Sequence, residues 1–168
     1  MPIVLGLDPG TRHFGWGVVE QRGTRLFHIA HGIVHTDEKA AIAVRLVAIE
    51  SALMSVLGAH APHEASVEAL FFAKDPQAAA KLGHARGVAL LVCARAGLPV
   101  YEYAPALVKR AVVGSGRAEK SQVAQMVRVV LRLSGAPPAD AADALALALT
   151  HLQRARPIAP AVRQRGRS

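Results

Sequence analysis

Ile3-Val-Leu-Gly-Leu-Asp8-Pro9-Gly10-Thr11-Arg12 decides the fold. A branched, apolar run ends on an acid; Pro9 then fixes φ and Gly10 tolerates positive φ, so the stretch reads as a buried strand with Asp8 at its C-terminal tip and a turn behind it. Residues 14–21 and 26–36, rich in Val, Ile, Phe and Trp and divided by Gly23, extend it into an antiparallel meander. Across 38–60 the residues Ile42, Leu46, Ile49, Leu53 and Val56 recur in steps of four and three, which predicts a long helix closed by Ala61-Pro62. Residues 65–70 read as a fourth strand, 76–96 as a second helix, 100–103 as a fifth strand, and 105–113, 119–133 and 139–155 as helices. A meander followed by strand–helix–strand crossovers gives an α/β fold: a mixed five-stranded sheet flanked by helices on both faces.

The chain has 168 residues, enough for one domain, here 1–155, followed by an arginine-rich tail, 156–168, expected to be disordered. Lys and Arg outnumber Asp and Glu by 20 to 12, a formal charge of +8 that points to polyanionic partners. Residues 88–94 are taken as the most apolar window, far short of the roughly 20 residues of a membrane span, so no membrane partner is expected. The N-terminus lacks a basic leader, and the single Cys93 excludes an internal disulfide and a multi-cysteine zinc site; a cytoplasmic location is the expectation.

Four acids sit where structure alone explains them poorly: Asp8 at a strand tip, Glu68 inside the fourth strand, and Asp140 and Asp143 at the start of the last helix. A carboxylate in a buried strand needs a cation, hydrogen bonds or a proton to offset desolvation. Asp140 and Asp143 fall on one face of a helical turn, and an ordinary N-cap with a dipole-favoured neighbour accounts for them when taken alone. In a sheet of this order, however, the first and fourth strands are neighbours, and the last helix can lay its N-terminus over their ends. Four converging carboxylates repel unless cations bind between them, and an all-oxygen donor set suits Mg²⁺ or Mn²⁺. Two such ions roughly 3.5–4 Å apart stabilise the attacking and leaving oxygens of an in-line phosphoryl displacement.

Six blocks, Gly6-Leu-Asp8-Pro-Gly10-Thr-Arg12, Glu68 followed by Phe71-Phe72-Ala-Lys74, Lys81-Leu-Gly-His-Ala-Arg86-Gly-Val, Val108-Lys109-Arg110, Ala118-Glu-Lys120-Ser-Gln and Ala139-Asp140-Ala-Ala-Asp143-Ala-Leu-Ala, closely resemble, in order and spacing, the RuvC-type Holliday-junction resolvases. The resemblance runs from about Ile3 to His151. It implies a ribonuclease-H-like fold, a homodimer, two Mg²⁺ per site with Mn²⁺ as substitute, symmetric paired nicks in four-way junction DNA leaving 5′-phosphate and 3′-hydroxyl ends, and a partnership with a RuvA–RuvB branch-migration complex. Carried across by motif, Asp8, Glu68, Asp140 and Asp143 are the metal-binding catalytic acids, Lys109 and Lys120 stand near the scissile phosphates, and Phe71 stacks on an unpaired base, with Phe72 as the competing ring.

Outside the acids, Lys109, Arg110, Arg117 and Lys120 surround Gly114-Ser-Gly116 and are expected to contact phosphate together with backbone N–H groups at the start of the following helix. Lys74, Lys81 and Arg86 are assigned to the same DNA-binding surface. None of the eight histidines has zinc spacing; His28, His31 and His35 read as structural or surface groups, with strand alternation placing His28 opposite the other two, while His13 lies near enough to the turn to approach DNA. The Asp-x-Gly-Thr turn also resembles the phosphate loop of actin-like ATPases and sugar kinases, but those close two domains on a nucleotide. A RuvC-like RNA-processing nuclease and a non-catalytic junction-binding module are the remaining alternatives.

Overall fold

A computed structural model describes residues 1–70 and 75–154 and the backbone of 160–162. The elements are β1 (Ile3–Asp8), β2 (His13–Arg22), β3 (Arg25–His35), α1 (Ile42–His60), β4 (Glu64–Glu68), α2 (Pro76–Arg95), β5 (Val100–Tyr103), α3 (Pro105–Val113), α4 (Lys120–Val130), α5 (Ala139–Gln153) and β6 (Pro160–Val162). They form one mixed sheet in the order β3-β2-β1-β4-β5-β6. The meander β1–β2–β3 is antiparallel, and β1–β4 and β4–β5 are parallel, as the crossover reading requires. To the five expected strands the structure adds β6, antiparallel on the edge of β5, so 160–162 of the tail read as disordered are a strand. Its remaining residues lie outside the described ones.

Strand alternation divides the core. Leu5 and Leu7 of β1 and Ala65 and Val67 of β4 join Ile49, Leu53 and Val56 of α1 and Ala85, Ala89 and Val92 of α2 on one face. Val4 of β1 faces the other way, into a cluster with α3, α4 and α5. By the same alternation Gly6 and Asp8 turn toward α5, and so do Glu64, Ser66 and Glu68. Close seating of α5 depends on glycine: a Cβ on Gly6 would stand 1.8 Å from the Ala144 carbonyl oxygen, and one on Gly15 2.1 Å from that of Asp140. These two positions bring the first turn of α5 down onto β1 and β2.

Several boundaries differ from the sequence reading for identifiable reasons. An Asx turn, in which the Lys39 N–H donates to Asp37 Oδ1 at 2.9 Å, holds residues 37–40 out of the helix, so α1 begins at Ile42. Arg132 takes a left-handed φ of 54°, and α4 stops at Val130 rather than 133. In β3 the pairing shifts opposite Val18 and Val19, which face Ala30 and His28; Ile29 is the extra residue, and this bulge brings His28 and His31 together, Nε2 to Nδ1, at 2.8 Å rather than on opposite faces. By length and composition α1, with an 18-residue window of mean hydropathy 1.8, is long and apolar enough to cross a membrane, a stretch the sequence reading did not single out. Its place is that of a sheet-packing helix, with Ile49, Leu53 and Val56 buried.

Candidate active site

The tips of β1 and β4 open into a cleft of about 610 Å³ whose lining includes Asp8, Glu68, Lys109, Lys120, Asp140 and Asp143. One carboxylate oxygen from each of Asp8, Asp140 and Asp143 lies within 4.8 Å of the others. Glu68 lines the cleft but stands outside that tight group. The fourth strand ends at Glu68 instead of running to 70, so Glu68 is a strand-tip side chain, open to solvent yet partly desolvated by the cleft, and not a carboxylate sealed in a strand. Nor is Asp140 an N-cap: Pro138 holds that place without a side-chain bond, and Asp140 lies inside the first turn.

Among the described residues no group neutralises this cluster in full. Burial, then Asp143, Asp140 and Glu68, push the Asp8 carboxyl up to about 8, against a weaker pull from Lys120. Burial and Asp143 raise Glu68, opposed by Lys120, Lys109 and Arg86. Asp143 is raised by burial although Lys120 Nζ reaches its Oδ2 at 3.3 Å. Lys120 is raised in turn, chiefly by the Asp143 charge. Desolvated like charges whose pKa values stay raised despite Lys120, Lys109 and Arg86 form a site short of positive charge. Oxygen-only donors at this spacing fit a hard divalent cation.

Behind the cleft the Asp-Pro-Gly turn is pinned in a way the sequence reading missed. Arg45 of α1 donates from Nη2 to the Thr11 carbonyl at 2.8 Å and from Nε to Thr36 Oγ1 at 3.1 Å, and Thr36 Oγ1 donates to the same Thr11 carbonyl at 2.5 Å. Arg12 pairs with Glu38 beside it. The available signal was an arginine set among the apolar positions of α1. His13 lines the cleft, its Nδ1 3.0 Å from that of His35 on the paired strand.

The basic residues separate. Lys109 and Lys120 line the cleft. Arg110, Arg117 and Lys81 are exposed but do not line it. The expected phosphate seat at the start of α4 is filled by the protein itself, in a capping box between Glu119 and Gln122 whose Glu119 N–H donates to Gln122 Oε1 at 2.8 Å. Arg86 corrects its assignment to the DNA surface: it is only 5% exposed and spends its guanidinium inside the protein. Phe71, Phe72 and Lys74 lie outside the described residues.

The family model described as crossover junction endodeoxyribonuclease RuvC matches residues 4–151. A protein of that name from Sorangium cellulosum is 60% identical over 152 residues, covering 90% of this chain and 85% of its own. One from Methylocella silvestris is 53% identical over 150 residues, covering 89% and 85%. Among solved structures, Thermus thermophilus RuvC in complex with Holliday junction substrate superposes with a TM-score of 0.86 at 40% identity, covering 90% of this chain and 93% of that one. The yeast mitochondrial Holliday junction resolvase Ydc2, at 14% identity and a TM-score of 0.64 over 89% of this chain and 77% of its own, shares the fold. With the match spanning all four acids and β1, β4 and α5 that carry them, the chain belongs to the RuvC family of crossover junction endodeoxyribonucleases.

Proposed function

We propose that this protein is a divalent-cation-dependent endodeoxyribonuclease that resolves four-way DNA junctions by symmetric paired nicks. One observation carries the reading: Asp8, Asp140 and Asp143 converge within 4.8 Å in a cleft rimmed by lysines, on a chain of net charge +8. Asp8, Asp140 and Asp143, with Glu68 at the rim, would hold Mg²⁺, or Mn²⁺ in its place. When bound, the ions supply positive charge to the attacking and leaving oxygens of an in-line phosphoryl displacement.

The chain's own residues do the rest. Lys109 and Lys120 orient the scissile phosphate; Lys120, which pairs with Asp143 here, would be available to a phosphate oxygen if that carboxylate held a cation. Arg110, Arg117, Lys74 and Lys81 contact the DNA backbone, and Phe71 or Phe72 stacks on an unpaired base. Hydrolysis leaves a 5′-phosphate and a 3′-hydroxyl. The functional unit is a homodimer, whose two-fold symmetry would match that of the substrate. It works in the cytoplasm with a RuvA–RuvB branch-migration complex.

The test is cleavage of a synthetic four-way junction beside linear duplex and single-stranded RNA, with and without Mg²⁺ or Mn²⁺, by wild type and Asp8→Asn. Paired symmetric nicks confined to the junction and dependent on both metal and Asp8 are expected. Cutting of RNA alone would move the substrate, and tight junction binding without cutting by the wild type would leave a binding module.

A further inference from the structure

Arg86 projects from α2 against the ends of β4 and β5. Its Nη1 donates to the Glu68 carbonyl at 2.6 Å and its Nη2 to Glu102 Oε1 at 2.5 Å. Glu102 of β5 pairs in register with Val67, one rung before Glu68. The guanidinium therefore ties together the last rungs of the parallel ladder from the α2 side. Because a planar fork offers two separately directed N–H groups, arginine serves a carbonyl and a carboxylate at once, which an ammonium does less well.

The candidate cation ligands differ in how firmly their backbone is held. Asp8 ends a strand paired on one side with β2, and Asp140 and Asp143 ride on a helix that is buried along most of its length. Glu68 is the last residue of its strand, and beyond it, among the described residues, the ladder keeps a single bond, from the Ala69 N–H to the Tyr103 carbonyl at 2.8 Å. The chain then leaves the sheet. Arg86 supplies the anchor at this point, and being almost wholly buried it has no surface to give to DNA.

We propose that Arg86 is a positioning residue for the metal centre: clamped on the Glu68 carbonyl and on Glu102, it fixes the exit of β4 so that the Glu68 carboxylate faces the cation held by Asp8, Asp140 and Asp143. The inference rests on the proposed reading of Glu68 as a cation ligand. It separates Arg86 from Lys81, Arg110 and Arg117, whose proposed role is on the nucleic acid.

Full-length wild type, Arg86→Lys, Glu102→Gln and Glu68→Gln are compared by Mn²⁺ calorimetry without DNA, by the Mg²⁺ concentration giving half-maximal junction cleavage, by metal-free junction affinity and by thermal melting. Loss of a hydrogen-bonding partner behind a ligand typically weakens metal binding by 10- to 100-fold, so Arg86→Lys is expected to raise both the Mn²⁺ Kd and the Mg²⁺ requirement by about 10-fold, with junction affinity unchanged. Glu102→Gln keeps Arg86 and its bond to Glu68, so about a three-fold shift in the same direction is expected from a partner one step further out. Junction affinity that falls in Arg86→Lys while Mn²⁺ binding stays as in wild type would overturn the proposal in favour of DNA contact. Lower melting with unchanged Mn²⁺ binding in both Arg86→Lys and Glu102→Gln would reduce Arg86 to a stabilising residue. If Glu68→Gln weakens Mn²⁺ binding and Arg86→Lys does not, the positioning role fails alone; if neither does, the reading of Glu68 fails first and the inference with it.

Discussion

The two ends of α5 handle buried polarity in opposite ways. At its C-terminal end His151 is nearly buried and fully engaged, its Nδ1 2.6 Å from the Tyr103 hydroxyl and its Nε2 2.6 Å from Glu64 Oε2. At its N-terminal end Asp140 and Asp143 meet Asp8 with one exposed lysine among them. Glu64 and Glu68 lie on the same face of the same short strand, yet the first is paired by the fold and the second is turned into the unsatisfied cleft. Polar groups that only hold a structure together are matched internally. A cluster left mismatched at the end of so well-packed a helix is arranged for something from outside.

The largest effect should come from removing charge at the mismatched end. Asp140→Asn or Asp143→Asn is expected to lower junction cleavage by about 10³-fold or more, the loss of several kcal/mol of transition-state stabilisation, while metal-free junction binding persists. Glu64→Gln at the other end should leave cleavage near the wild-type rate. Equal losses from both ends, measured in one junction assay, would erase the distinction.

The next effect tests the seating that both ends share. A Cβ at Gly6 would stand 1.8 Å from the Ala144 carbonyl, a backbone atom that cannot swing aside. Gly6→Ala should therefore cost about 3 kcal/mol, the upper range for overpacking, and lift the N-terminal acids from Asp8. Denaturant unfolding measures the first consequence and Mn²⁺ affinity the second. Stability lost with Mn²⁺ affinity intact would show that the acids do not depend on this seating.

These contrasts also show what the linear sequence could reveal. The run from Ile3 to Asp8 and the apolar periodicity of α1 were legible because burial and turn chemistry act between near neighbours. The convergence of the acids was legible because strand order follows from element order. What stayed hidden depends on partners distant in the chain: the bulge at Ile29, answered by β2; the burial of Arg86, decided by Glu68 and Glu102; the pairing of Glu64 with His151, 87 residues away. Basic composition alone sent Arg86 to the surface. Only packing shows that its fork has two acceptors inside.

Protons distinguish the two ends as well. The Asp8 carboxyl is raised from 3.8 to about 8, so between those values the folded metal-free protein holds a proton that the unfolded chain releases. Stability without metal is thus greatest below pH 4 as far as this group is concerned, and falls as pH rises toward 8. Asp8→Asn, which removes the ionisable group, should flatten that fall and make the metal-free protein more stable than wild type at pH 8, by on the order of 2 kcal/mol once small movements relieve the repulsion. Melting from pH 5 to 8 checks it. Mg²⁺ should restore wild type most strongly at the alkaline end, where it competes with the fewest protons.

The smallest effect belongs to the matched end. The Glu64 carboxylate accepts from Nε2 of His151, and Nδ1 of the same ring lies 2.6 Å from the Tyr103 hydroxyl. Burial, then the Glu64 charge, pushes that hydroxyl up to about 12, so it remains a donor throughout the working range. Tyr103→Phe keeps the ring and removes the donor, leaving Nδ1 of a buried histidine without a partner, at a cost of about 1–2 kcal/mol. Melting temperature should fall while cleavage and Mn²⁺ affinity hold, because α5 remains anchored at Gly6 and Gly15. Should Tyr103→Phe instead slow cleavage with no change in melting, the two ends of the helix would be coupled, and the C-terminal relay would belong to the catalytic machinery rather than to the scaffold.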